Sequence, residues 1–195
     1  MEPALGLLEF SSIATGIVAG DAMAKRAPIA ALHAGTIHPG KYLVLVSGDV
    51  AAVEEALQAG RLAAGGALVD ELFLPAVDPA VVEALRGGRR RSDGEALGVV
   101  ETRTVAATLL AADAGVKGAE VALLEVRLAD GLGGKAFALF GGPVTDVEAA
   151  VERAAAALPD ARQLVERAVI AQLHPEMRDN LSAHAEFGER VRARS

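Results

Sequence analysis

The chain has 195 residues, 52% of them apolar, 23% charged and only 3% aromatic, with a net charge of -7. That balance excludes a disordered tail, and few rings on an acidic surface argue against nucleobase stacking and against a broad phosphate-binding face, so no nucleic-acid partner is expected. With no cysteine, the chain offers no disulfide, no thiolate nucleophile and no cysteine-held zinc or iron–sulfur site of its own. The first residues, MEPALGLLEF, lack the basic start and long apolar run of a signal peptide, and no stretch approaches the roughly 18 apolar residues of a spanning helix. The expectation is a soluble, cytoplasmic protein with no membrane partner.

In chain order, residues 5–10 form an apolar run of strand length and 13–26 an Ala-rich segment with helical spacing. Residues 30–34 and 41–47 flank a His-Pro-Gly turn and read as a hairpin. Asp49 then offers an N-cap for a helix over 50–64, and 68–74 supply a last strand. The same order returns further along. Residues 97–102 read as a strand, 105–118 as a helix, 121–128 and 135–140 as a hairpin around a Gly-rich turn, 147–158 as a helix capped by Thr145 or Asp146, and 164–173 as a strand.

The return is a repeat in the residues themselves. Ala4-Leu-Gly-Leu-Leu-Glu9 matches Ala96-Leu-Gly-Val-Val-Glu101, while Asp21 and Lys25 fall on Asp113 and Lys117 at an offset of 92. The offset grows to 94, where Gly40-Lys41 meets Gly134-Lys135, and then to 96, where Pro79 meets Pro175. The chain therefore reads as two copies of one α+β domain of ferredoxin-like order, strand-helix-strand-strand-helix-strand, with helices on one face of an antiparallel sheet. The first domain is set at residues 1–88, a linker at 89–95, the second domain at 96–181 and a tail at 182–195. The Arg-rich segment 86–95 reads as a solvated linker rather than a nucleic-acid patch. The tail, with Phe187 and Val191 among charges, reads as a frayed end or a short amphipathic helix.

Catalytic signatures are missing. There is no P-loop and no HExxH, and His33, His38, His174 and His184 have no ligand spacing along the chain. Glu9 and Glu101 recur at strand ends in both copies, which suits a structural hydrogen bond or ion pair better than an acid/base dyad, because a dyad need not be duplicated. No enzyme is expected.

The ordered set ALGLLE, GDAMAK, PGK and GDVAAVE, present twice in related form, resembles the shell proteins of bacterial microcompartments, in the class with two tandem BMC domains (BMC-T) in unpermuted order. The resemblance implies a homotrimer whose six domains make a flat pseudohexameric tile. Such tiles join other shell proteins edge to edge around encapsulated enzymes and carry a central pore for small metabolites, or for metal or electron passage. A second class remains open, a trimeric ferredoxin-like regulator binding a small molecule at subunit clefts.

The resemblance also implies roles for residues. Lys25 and Lys117, with Asp21 and Asp113 one helical turn before them, are placed at the tile edge. The arginine that many members carry near the last strand is missing, since Ala76-Val77-Asp78 and Gln172-Leu173-His174 stand there. The turns Thr36-Ile37-His38-Pro39-Gly40 and Asp130-Gly131-Leu132-Gly133-Gly134 are placed at the pore. One subgroup is closer still and holds an iron–sulfur cluster through a Cys at the position of His38; with His there and no Cys, no such cluster and no other cofactor is expected. Three His38 imidazoles on one axis would instead be polar pore lining or the ligands of a divalent metal.

Overall fold

In the computed structural model, which describes residues 4–87, 90 and 94–182, both halves build the expected unit. The first runs β1 (Ala4–Phe10), α1 (Ile13–Arg26), β2 (Ala31–Ile37), β3 (Lys41–Gly48), α2 (Val50–Ala64), β4 (Leu68–Leu74) and α3 (Pro79–Leu85). The second runs β5 (Ala96–Thr102), α4 (Val105–Gly118), β6 (Ala122–Arg127), β7 (Ala136–Gly142), α5 (Val144–Ala156), β8 (Leu164–Ile170) and α6 (Pro175–Ser182). Two four-stranded antiparallel sheets result, ordered β2-β3-β1-β4 and β6-β7-β5-β8. Their registers correspond: Leu7 lies between Leu45 and Leu72, and Val99 between Leu139 and Ala168.

Alternation along the strands splits each sheet into two faces. In the first sheet Leu8, Phe10, Val44 and Val46 meet Met23, Val53 and Leu57 from α1 and α2. The opposite face, with Leu5, Leu7, Leu72 and Leu74, belongs to a larger cluster that includes Val105 and Leu109 of α4. Each half keeps its two long helices on one face of its own sheet, α1 and α2 in the first and α4 and α5 in the second, and α4 lies in addition against the other side of the first sheet. It is wedged between both sheets, and Val105, Ala106, Leu109 and Ala112 are all buried. Each large apolar side chain taken from water there contributes roughly 1.5–3 kcal/mol.

Several boundaries differ from expectation for visible reasons. β2 continues to Ile37, which pairs with Lys41 across a three-residue turn. β8 stops at Ile170, after which the Leu173 N–H turns aside to the Glu95 carbonyl. α5 starts at Val144 behind Pro143, so neither Thr145 nor Asp146 caps it, and Asp49 stands at the α2 N-cap without a side-chain bond. Side-chain caps form on the first helix of each half, Ser12 on α1 and Thr104 on α4, each accepting the N–H three residues on.

The helices α3 and α6 were not anticipated. Asp78 accepts the Ala80 N–H with Pro79 in the first turn, a start signal visible in the sequence. α3 leans on β6 and α4 instead of its own sheet, leaving an apolar groove of about 540 Å³ floored by Leu5, Leu43 and Leu45, with His33 in its lining. Of the basic linker, Arg90 pairs with Glu83 and bonds the Leu124 carbonyl. Residues 88, 89 and 91–93, and the tail after Ser182, lie outside the described residues.

Candidate functional site

Two constellations of this fold carry the residues singled out above. The first joins the hairpin turns of the two halves. The turn after β2 closes through a cis His38–Pro39 bond and Gly40 at φ 78°, a backbone region that favours glycine. The turn after β6 uses Gly131, Gly133 and Gly134, all at positive φ. The two turns touch. A Cβ on Gly134 would stand 3.0 Å from the Pro39 ring, and His38 Nδ1 lies 3.6 Å from Asp130 Oδ1. Both of those side chains are about 70% open to water, so the pair is a loose polar contact on the rim of the molecule.

Behind each turn a lysine ties back to its sheet. Lys41 Nζ lies 2.6 Å from Glu9 Oε1, and Lys135 pairs with Glu101 in the second half. The duplicated acids are thus ion-pair partners, but their surroundings diverge. Glu9 is fully buried, and its Oε2 accepts the N–H of Val105 at the start of α4, 2.9 Å away. Burial pushes its carboxyl above the ordinary glutamate value, with Lys41 and the Val105 N–H pulling the other way. Glu101 keeps 29% of its side chain exposed.

The second constellation is the seam around α4. Thr104 Oγ1 donates to Asp70, which also receives the Gln163 amide at 2.9 Å. Asp113 accepts the Asp78 N–H at 2.8 Å and pairs with Lys117, which also reaches the Ala76 carbonyl. The structure therefore places Asp113 and Lys117 where α4 meets the chain between β4 and α3, with the Lys117 side chain 42% exposed. Their counterparts Asp21 and Lys25 form the same i,i+4 pair on an open helix face. Sequence reasoning missed Asp70, Gln163 and Asp78, because their partners come from the other half of the chain. No signal within 20 residues of any of them could have supplied the pairing, although Asp78-Pro79 does announce a helix start.

Among the described residues no cluster of three or more His, Cys, Asp or Glu is placed to hold a metal, and no helix is long and apolar enough to cross a membrane. What the geometry offers is a duplicated scaffold with two apposed turns and a bonded seam. The sequence model of the BMC domain matches twice, over residues 4–77 and 96–173. The chain belongs to the BMC-domain family. Within it, the chain is 43% identical to the bacterial microcompartment shell protein PduT of Citrobacter freundii over 177 residues, covering 91% of this chain and 96% of that one. A microcompartment protein of Desulfitobacterium hafniense superposes with a TM-score of 0.80 at 37% identity, over 92% of this chain and 99% of its own. A fused permuted hexameric shell protein of the RMM microcompartment, at 22% identity and a TM-score of 0.59 over 80% and 83% of the two chains, shares the fold.

Proposed function

We propose that this BMC-domain protein is a structural shell subunit of a bacterial microcompartment. It assembles as a homotrimer of six similar domains, tiles the shell facet beside other shell proteins around encapsulated enzymes, and passes small metabolites through a central pore. The observation that carries the reading is the double match of the BMC domain together with likeness to a shell protein along nearly the whole chain. Two like domains in one chain let a cyclic trimer present a pseudo-sixfold outline, and a closed ring leaves no unpaired end.

In this assembly the turns at 36–40 and 130–134 alternate around the axis, which is supported by their direct apposition in one chain. Lys25 and Lys117, with Asp21 and Asp113, stand at the tile edge. The side chain of Lys25 is 74% exposed and free to meet a neighbouring tile. His38 replaces the Cys of the iron–sulfur subgroup, so the pore carries imidazoles where that subgroup carries thiolates. The first test is electron microscopy of the purified protein, alone and with other shell subunits. The expected result is sheets or closed shells containing this chain, with Lys25→Ala plus Lys117→Ala leaving particles intact but weakening sheet growth. A discrete trimer that never joins a shell would favour the small-molecule regulator, and sheets unchanged by the double variant would sink the edge assignment.

A further inference from the structure

The faces of the two sheets turned away from their own long helices are filled differently. On the second sheet Phe137 packs with Leu97, Leu139 and Leu173, and Leu181 of α6 joins them. On the first, the repeat puts Leu43 at the place of Phe137, and the strand registers put Gly35 at that of Arg127, since Gly35 pairs with Leu43 and Arg127 with Phe137. An aromatic ring and a long side chain are thus missing there, and the groove of about 540 Å³ over Leu5, Leu43 and Leu45 is the space left. A Cβ on Gly35 would meet nothing within 4 Å. Arg86 and His33 also line the groove; both are exposed, and neither side chain bonds another described residue. Such a pocket suits an aromatic side chain flanked by carboxylates.

The chain itself carries a segment of that kind. Phe187 stands between Glu186 and Glu189 in residues 183–195, which follow α6 and lie beyond both matches to the BMC domain. The equivalent segment of the first half supplies a route. Past α3 the chain crosses to the second half, where the Arg90 N–H donates to the Leu124 carbonyl of the edge strand β6 at 3.0 Å. At the offset of 96, Glu186 takes the place of Arg90, and β2, the edge strand of the first sheet, takes that of β6. In a ring of chains the half that follows the second is the first half of the next subunit. The charges differ in a way that favours the groove. Arg90 is tied back to α3 by Glu83, whereas the matching Glu186 and Asp179 repel each other, which leaves Glu186 for a cation elsewhere.

We infer that residues 183–195 of one subunit run along β2 of the next, with Phe187 seated in the groove over Leu43 and Leu45 and its flanking glutamates toward Arg86 and His33. This rests on the trimer proposed above and adds to it a contact made by a segment outside the two BMC domains. The contact runs head to tail, so each subunit gives one tail and receives one.

The chain has no Trp and no Cys, so every introduced reporter is unique. In Phe187→Trp the indole is expected to emit to the blue of a solvated one. Adding Gly35→Arg and Leu43→Phe gives the first sheet the residues the second already carries, fills the groove, and should return the emission to that of a solvated indole. Ending the chain after Ser182 should weaken association about 10- to 100-fold in sedimentation, as loss of one buried aromatic does, with the melting of the dissociated chain unchanged. With Gly35→Cys and Phe187→Cys in one polypeptide, a short bis-maleimide should give covalent dimers and trimers, and none when either cysteine stands alone. Solvated emission from protein that sizes as a trimer overturns the docking and leaves the trimer standing, as does blue emission that the filled groove does not move. A 35–187 link formed only within single chains overturns the passage between subunits, while a chain that stays monomeric at every concentration removes both the docking and the trimer. Incorporation into shells is read separately, by microscopy, so the docking and the shell function can fail independently.

Discussion

Glu9 shows at the scale of one residue what the packing of the two halves costs and secures. Its carboxyl is fully buried between Lys41 and the start of α4. Burial raises its pKa above 4.5 more than those two partners lower it. The folded protein therefore holds this proton to higher pH than the unfolded chain does. Stability from the group is complete below the unfolded value near 4.5 and falls as pH rises through the higher folded value. Glu9→Gln keeps the shape and removes the titration. The unfolding free energy of the wild type minus that of the variant should decline from pH 4 toward neutrality in urea titrations run across that range; a flat difference would show that Lys41 and the helix start offset burial fully. That Glu9 and Glu101 serve structure, through a hydrogen bond or an ion pair, was legible from their duplication. That one is buried and the other open was not, because the difference is made by α4, which lies nearly a hundred residues from Glu9 along the chain.

At the scale of elements, strands and long helices followed from alternation and spacing, and the ferredoxin-like order followed from their sequence. α1 and α4 are both apolar nearly all round, which marks a helix covered on more than one side. Only α4 finds its second cover within the chain. α3 and α6 escaped because seven- and eight-residue helices carry little periodicity, though each begins with a proline. The halves also solve one packing problem in opposite ways. In the first half Met23 packs against Gly60, with Val46 in the same cluster; in the second, Gly115 stands at the place of Met23 and packs against Phe140, with Phe140 at the place of Val46 and Ala154 at that of Gly60. A Cβ on Gly115 would stand 2.6 Å from the Phe140 ring, closer than such atoms can approach. Gly115→Ala should therefore cost about 1–3 kcal/mol through overpacking, seen as a melting point lower by roughly 2–4 °C per kcal/mol for a chain of this size. Gly115→Met combined with Phe140→Val and Ala154→Gly rebuilds the first-half arrangement, in which a Cβ at Gly60 would crowd Met23, and should recover much of the loss. If the combination melts no higher than Gly115→Met alone, these positions do not share the space the repeat assigns them.

At the scale of the whole molecule, the duplication was plain in the sequence, whereas the seam between copies was not, because repeat offsets say which residues are alike and not which ones touch. The apposed turns lie between these cases: each was legible as a turn, and only the fold brings His38 within 3.6 Å of Asp130. In the proposed trimer, three His38 and three Asp130 alternate around the pore. A metal held by three imidazoles needs nitrogens at roughly 2.0–2.1 Å from one ion, with each ring fixed by a partner on its other nitrogen. Asp130 Oδ1, 3.6 Å from Nδ1, lies beyond direct hydrogen-bond reach, so it does not fix the ring. The His38 side chain is also 73% exposed and sits on a turn of the surface, so water competes for every position and little holds three rings in one geometry. The expected outcome is a polar pore without bound metal: elemental analysis of purified trimer should find no stoichiometric transition metal or iron in either the wild type or His38→Ala. One metal ion per three chains, present in the wild type and lost in the variant, would overturn that expectation and make His38 a ligand. Asp130→Asn would then show whether the ring's orientation matters, since a ligand oriented by that carboxylate should lose affinity about 10–100-fold, while a ligand that is not so oriented should keep its metal.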